Sequence, residues 1–114
     1  MEAECLFCRV VSGEVPGDVV YENDEAMAFR DVNPQAPTHV LVVPKEHYAD
    51  LAELAGGAPG ALTAVARAVA EVADLESLDG NYRVVFNTGA GAGQSVFHCH
   101  AHVLGGRSLG WPPG

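Results

Sequence analysis

The chain has 114 residues, 48% of them hydrophobic, and a formal net charge of −9. That length suits one compact domain spanning residues 1–114, and the composition is neither disordered nor collagen-like. Six Lys and Arg against fifteen Asp and Glu argue against a nucleic-acid groove or an anionic membrane surface, both of which need clustered cations.

No apolar run approaches the length of a membrane-spanning helix. The start, Met1-Glu2-Ala3-Glu4, is acidic where a secretory leader would be basic. The expected address is the cytoplasm, where Cys5, Cys8 and Cys99 stay reduced, free to pack or to bind a metal.

In chain order, Leu6, Phe7, Val10 and Val11 form one face of a short helical turn that Gly13 and Pro16 end. Val19 to Glu22 reads as a strand, Asn23-Asp24 as a turn, and Ala26 to Arg30 as the returning strand of a hairpin. Asp31 to Pro37 is a loop, because each proline biases its predecessor away from helix. Thr38 to Pro44 is the most apolar strand and reads as central. Tyr48 to Leu54 suggests a short helix stopping at Gly56-Gly57. From Pro59, a residue tolerated in a first turn, Leu62, Val65, Val69 and Val72 recur at helical spacing to about Leu78. Asp79-Gly80-Asn81 is a turn, Tyr82 to Asn87 a strand, Gly89 to Gly93 a glycine-rich loop, and Ser95 to Leu104 the last strand. Strands run consecutively with one major helix between them, which predicts an α+β domain on an antiparallel sheet.

The densest chemistry is His98-Cys99-His100-Ala101-His102. Alternate residues of a strand share a face, so the three imidazoles are expected on one side, with Phe97, Cys99, Ala101 and Val103 facing the core. Packing alone explains such a run poorly. A metal site and nucleophilic catalysis by an imidazole nitrogen both fit. The preceding glycine loop offers backbone N–H groups for an anion nest, and Gln94 and Ser95 add an amide and a hydroxyl. Cys5 and Cys8 sit at a spacing that grips zinc if His47 and His98 complete the set. Two buried small hydrophobes are the other reading of the pair. His39 lies in an apolar strand, as a satisfied core residue or as a group that orients another imidazole. Asp31 is a turn residue or a carboxylate suited to ribose hydroxyls. Trp111, near the end, calls for something to pack on, such as a partner subunit.

The run from Gly93 to Arg107 resembles the signature of the histidine triad superfamily. Cys5-Leu6-Phe7-Cys8, Gly13 to Pro16, Ala28 to Asp31, Pro34 to His39, Pro44 to His47 and Trp111-Pro112-Pro113-Gly114 make it most similar to the Hint branch, the histidine triad nucleotide-binding proteins. The resemblance implies a five-stranded antiparallel sheet with one long and one short helix, and a homodimer joined into a continuous ten-stranded sheet. It implies hydrolysis of purine nucleoside phosphoramidates to AMP or GMP and an amine. His100 would be the nucleophile, carrying a nucleotidyl-histidine intermediate, and His102 would contact the phosphate. His39 would support them, and Ser95 would lie near the leaving group. Asp31 would bind ribose. Phe7, Phe29 and Val32 would line the base pocket, and Asn87, Gly93 and Gln94 would contact phosphate and ribose. No cofactor is needed for the chemistry. Structural zinc on Cys5, Cys8, His47 and His98 is implied, which removes His98 from catalysis.

Three consequences follow from these readings. Histidine chemistry implies a bell-shaped pH dependence. Arg30 stands where animal members of the resembled branch often have His, beside the ribose position, and is expected to affect base or leaving-group preference. The alternatives to phosphoramidate hydrolysis are a nucleotide-binding scaffold with incidental hydrolysis, or cleavage of dinucleoside polyphosphates or adenylyl sulfate.

Overall fold

A computed structural model describes residues 4–114; Met1, Glu2 and Ala3, which open the acidic start, lie outside the described residues. The elements are α1 (Leu6–Ser12), β1 (Val19–Glu22), β2 (Ala26–Arg30), β3 (Thr38–Pro44), α2 (Leu51–Gly57), α3 (Pro59–Leu75), β4 (Tyr82–Val85) and β5 (Ala101–Gly105), with a 3-10 turn at Ala90–Ala92. The five strands form one antiparallel sheet in the order β1-β2-β3-β5-β4. The expected α+β class holds, with two short helices beside the long one. Among the described residues no helix is long and apolar enough to cross a membrane.

Local chemistry sets the element ends. The Cys5 sulfur caps α1 by accepting from the Cys8 N–H, and Gly13 ends it in the left-handed conformation at φ 83°. Asn23 builds the β1–β2 turn: its Oδ1 accepts from the Glu25 and Ala26 N–H groups at 3.0 and 2.8 Å. The Asp50 carboxylate caps α2, so the helix begins after Tyr48 and runs through Gly56-Gly57 instead of stopping there. The long helix stops at Leu75, short of Leu78, because Ser77 and Asp79 adopt φ 56° and 53°.

Both sheet faces are covered, which is why every residue of β3 is buried and the strand shows no polar alternation. Ala26, Ala28, Val40, Val42, Ala101 and Val103 meet the α3 stripe of Ala61, Val65, Ala68, Val69 and Val72. Small residues on both sides let helix and sheet approach closely. Phe7, Val10, Met27, Phe29, Leu41 and Val43 form a second cluster on the opposite face. His39 and His102 belong to that second face by strand alternation, next to Leu41.

The expected long final strand is shorter, starting at Ala101 instead of Ser95. Residues 95–100 are drawn off the ladder by distant partners: the Cys99 N–H donates to the Tyr48 carbonyl at 2.6 Å. Phe97 consequently stands 53% exposed, not in the core. Cys99, Ala101 and Val103 are buried as expected, and burial pushes the Cys99 thiol up to about 11.

Arg30 closes the sheet onto the end of α3. Its guanidinium forks onto Glu76 at 2.7 and 3.0 Å, with Asp18 3.6 Å away. It is therefore committed to a structural pair, while still lining the cavity described below. The Arg30 bond holds the Glu76 carboxyl below its ordinary value of 4.5. A depressed carboxyl stabilises the fold above its unfolded pKa and stops doing so as pH falls through its folded one. Glu76→Gln is expected to cost about 1–2 kcal/mol at pH 7, held to that by solvent around the half-exposed Arg30. The difference should shrink as pH falls below 4.5 and vanish in stronger acid. Urea unfolding of both proteins across that range measures it, and a pH-independent difference would remove the electrostatic account.

Candidate active site

Three hydrogen bonds assign the protons on the buried imidazoles. The His100 Nδ1 lies 2.7 Å from the His98 carbonyl oxygen. A carbonyl only accepts, so Nδ1 carries the proton and Nε2 keeps a bare lone pair. The Gln35 N–H donates to His39 Nδ1 at 3.0 Å, which puts the His39 proton on Nε2. That Nε2 sits 2.8 Å from His102 Nδ1 and donates to it. His102 therefore carries its own proton on Nε2, a buried atom with no partner among the described residues.

The site thus presents a lone pair on one imidazole and an N–H on the next, with ring centres 4.9 Å apart. Burial lowers the pKa of His100 and pushes His102 down to about 4, so both are uncharged near neutrality. The expected acid limb of the pH profile accordingly moves below the ordinary histidine range.

Both imidazoles line a cavity of about 760 Å³, a volume suited to a small-molecule ligand. Its walls include Phe7, Phe29, Val32, Leu41 and Val96, with Asp31 and Ser95 as polar groups. Phe7 stands edge-on to His100 at 5.0 Å and to Phe29 at 5.4 Å. Val32 is fully exposed at the rim. Leu6, Val10, Val15, Pro16 and Gly17 also line it and were not foreseen. Gly17 has a structural requirement: a Cβ there would fall 2.8 Å from Val10 Cγ1. The only sequence signal was the turn-like Val15-Pro16-Gly17.

A second concavity of about 650 Å³ lies beside β4 and the C-terminal tail and contains no histidine. Its arginines are engaged, Arg83 with the Gly110 carbonyl and Arg107 with those of Ser108 and Gln35. His100 and His102 line the first cavity and not this one.

The glycine loop does not form the expected open nest. The N–H groups of Ala92, Gly93 and Gln94 bond to loop carbonyls, and that of Gly89 to Gln94 Oε1. The Gln94 amide donates to the carbonyls of Ala49 and Val96 at 2.7 and 3.1 Å. Gln94 thus braces the loop. Asn87, Gly93 and Gln94 are not among the residues lining the cavity. Asn87 lies beside Gly93, whose Cβ position would be 3.9 Å from Asn87 Nδ2.

On the far side of Phe7, Cys5, Cys8, His47 and His98 converge, with their ligand atoms all within 4.8 Å of one another. The His98 Nδ1 lies 3.3 Å from the Cys5 sulfur and 3.5 Å from that of Cys8, and His47 Nδ1 lies 3.6 Å from Cys8. A tetrahedral zinc with bonds of about 2.0–2.3 Å separates its ligands by about 3.3–3.8 Å, so the donor set fits. His98 Nε2 donates to the Pro44 carbonyl at 2.8 Å, leaving Nδ1 as the ligating lone pair, oriented from behind. Burial lowers His98 to about 4, which keeps that lone pair available.

Asp31, His39 and His102 also converge, but they do not make a metal site. The Gln35 N–H occupies the lone pair of His39 Nδ1 and leaves a proton on Nε2, the atom that faces the other two groups.

The HIT domain matches residues 12–109 of this chain. An uncharacterised HIT-like protein of Synechococcus elongatus is 46% identical over 100% of both chains. A 14 kDa zinc-binding protein of Zea mays is 43% identical, over 99% of this chain and 90% of its own. The crystal structure of a HIT family hydrolase from Legionella pneumophila shares 44% identity and a TM-score of 0.92, over 97% of this chain and 100% of that one.

Proposed function

The chain belongs to the HIT family, and from that premise we propose that it is a Hint-branch hydrolase of purine nucleoside phosphoramidates, acting through a nucleotidyl-histidine intermediate. The observation that carries the reading is the bare Nε2 of His100 beside the unpartnered Nε2–H of His102 in one cavity. A nucleophile next to a preset donor is what phosphoryl transfer needs.

His100 Nε2 attacks phosphorus while its Nδ1–H stays on the His98 carbonyl. His102 Nε2–H bonds a non-bridging oxygen. The P–N bond breaks as the amine takes up one proton from solvent, passed by the Ser95 hydroxyl at the exposed rim. Water then attacks phosphorus, the bond to His100 breaks, and one proton returns to solvent. His39 holds His102 in its tautomer. Phe7, Phe29 and Val32 receive the base, and Asp31 receives the ribose hydroxyls. Zinc, when held by Cys5, Cys8, His47 and His98, supplies structure only.

The exposed Leu75, Tyr82 and Val84, on the end of α3 and the edge strand β4, and Trp111, 84% exposed, support the homodimer reading: β4 is the edge at which a second sheet would continue the first.

Mass spectra of protein quenched during turnover test the proposal. An adenylyl adduct on the peptide bearing His100 is expected with an adenosine phosphoramidate, at higher rates than with a dinucleoside polyphosphate or adenylyl sulfate. No adduct, or faster cleavage of either alternative, overturns it.

A further inference from the structure

His39 has a single proton to give and two acceptors facing it. Its Nε2 lies 2.8 Å from His102 Nδ1 and 3.3 Å from Asp31 Oδ2. The other ring nitrogen already accepts from Gln35, so the ring cannot turn to serve both acceptors. Asp31 is itself held in place: its N–H donates to the His39 carbonyl at 3.0 Å and its Oδ1 accepts from Asn33 at 2.9 Å. The second oxygen is the one that reaches His39. The His39 side chain is 4% exposed and that of Asp31 18%, so the pull of the carboxylate on this proton is only weakly screened.

The sharing has a consequence one bond further on. When the His39 proton lies on the His102 side, His102 Nδ1 must accept, and Nε2 keeps its N–H. When the His39 N–H swings toward Asp31, His102 Nδ1 loses its donor: His102 can then give up its Nε2 proton to solvent in the cavity and take one up on Nδ1, with the Asp31 carboxylate of the same cluster as the acceptor that draws the ring round. The carboxylate that lines the cavity therefore competes with His102 for the proton that sets the His102 tautomer.

We propose that Asp31 is a positioning residue for the reaction as well as a ribose ligand: hydroxyls that engage its carboxylate release the His39 proton to His102 and hold His102 as an Nε2–H donor. The ribose then contributes to the chemical step and not only to binding, and the enzyme selects ribonucleosides through kcat. This rests on the phosphoramidase reading above.

Two measurements on the intact protein test it. The first compares an adenosine phosphoramidate with its 2′,3′-dideoxy counterpart. The dideoxy substrate is expected to lose tenfold or more in kcat beyond any rise in KM, and Asp31→Asn is expected to bring the two kcat values together. A loss confined to KM, or the same kcat ratio in Asp31→Asn, overturns the proposal. The second follows the ring nitrogens of His39 and His102 by 15N NMR on adding adenosine, which has the hydroxyls and no phosphate. His102 should move toward the pure Nε2–H tautomer with adenosine and stay unchanged with dideoxyadenosine. Unchanged spectra with both, or equal shifts with both, also overturn it. If neither phosphoramidate is turned over, the hydrolase reading fails, while the spectra still judge the coupling.

Discussion

His100→Asn abolishes turnover while AMP still binds. The variant keeps an N–H that can donate to the His98 carbonyl and fills similar space beside Phe7, so the pocket persists. It has no ring lone pair to form a bond to phosphorus. Loss of a covalent nucleophile typically costs 10⁴-fold or more in kcat, whereas AMP affinity should change by only a few fold. Single-turnover assays and AMP titration measure the two effects. Residual turnover above about one part in a hundred would remove His100 from the role. In the unaltered protein, activity should persist as pH falls through the ordinary histidine value of 6.5. It should fail in more acid solution, where a proton on His100, whose pKa burial lowers, takes up the lone pair that attacks phosphorus.

Cys8→Ser releases the metal and loosens the first helix. A helix as short as α1, seven residues, is not stable alone. Its attachments are the apolar cluster around Phe7 and Val10 and the four-ligand site that ties it to residues 47 and 98. About one zinc per chain is expected by elemental analysis of protein purified without added metal. Its loss is expected to cost about 3–5 kcal/mol, or roughly 10 °C or more in Tm. Because α1 also brings Leu6, Phe7 and Val10 to the cavity wall, nucleotide affinity should fall with it. Protein that contains no zinc with reduced thiols, and whose melting a chelator does not change, would make the cluster plain packing.

Much of this arrangement was legible in the chain, for identifiable reasons. The unbroken apolar run of β3 and the periodic valines of α3 are local signals, and both elements appeared where expected. The grouping of His100 with His102 followed from alternation. The beginning of β5 was not legible, since it depends on partners far along the chain. Cys99 bonds Tyr48, and His98 turns to Cys8, 90 residues away. The bracing bonds of Gln94 were not legible for a similar reason: they reach Ala49, 45 residues back, which no local pattern groups with the glycine loop. Arg30 lines the cavity beside Asp31 as its position suggested, but its pairing with Glu76, 46 residues on, was not legible. The α1 and Val15–Gly17 walls of the cavity come from tertiary approach alone, which no local pattern encodes.

The position of β5 has a consequence for how the molecule is made. Although last in the chain, it lies inside the sheet, between β3 and β4. A growing chain that has not yet exposed residues 98–105 has no strand to pair with β4, lacks His98 of the thiol cluster, and has neither cavity imidazole. Synthesis from the N-terminus therefore cannot complete the sheet early, and the closing contacts span most of the chain, a topology that folds slowly. The sheet, the thiol cluster and the reactive histidines come together in one late event, so a chain truncated before residue 98 lacks all three at once.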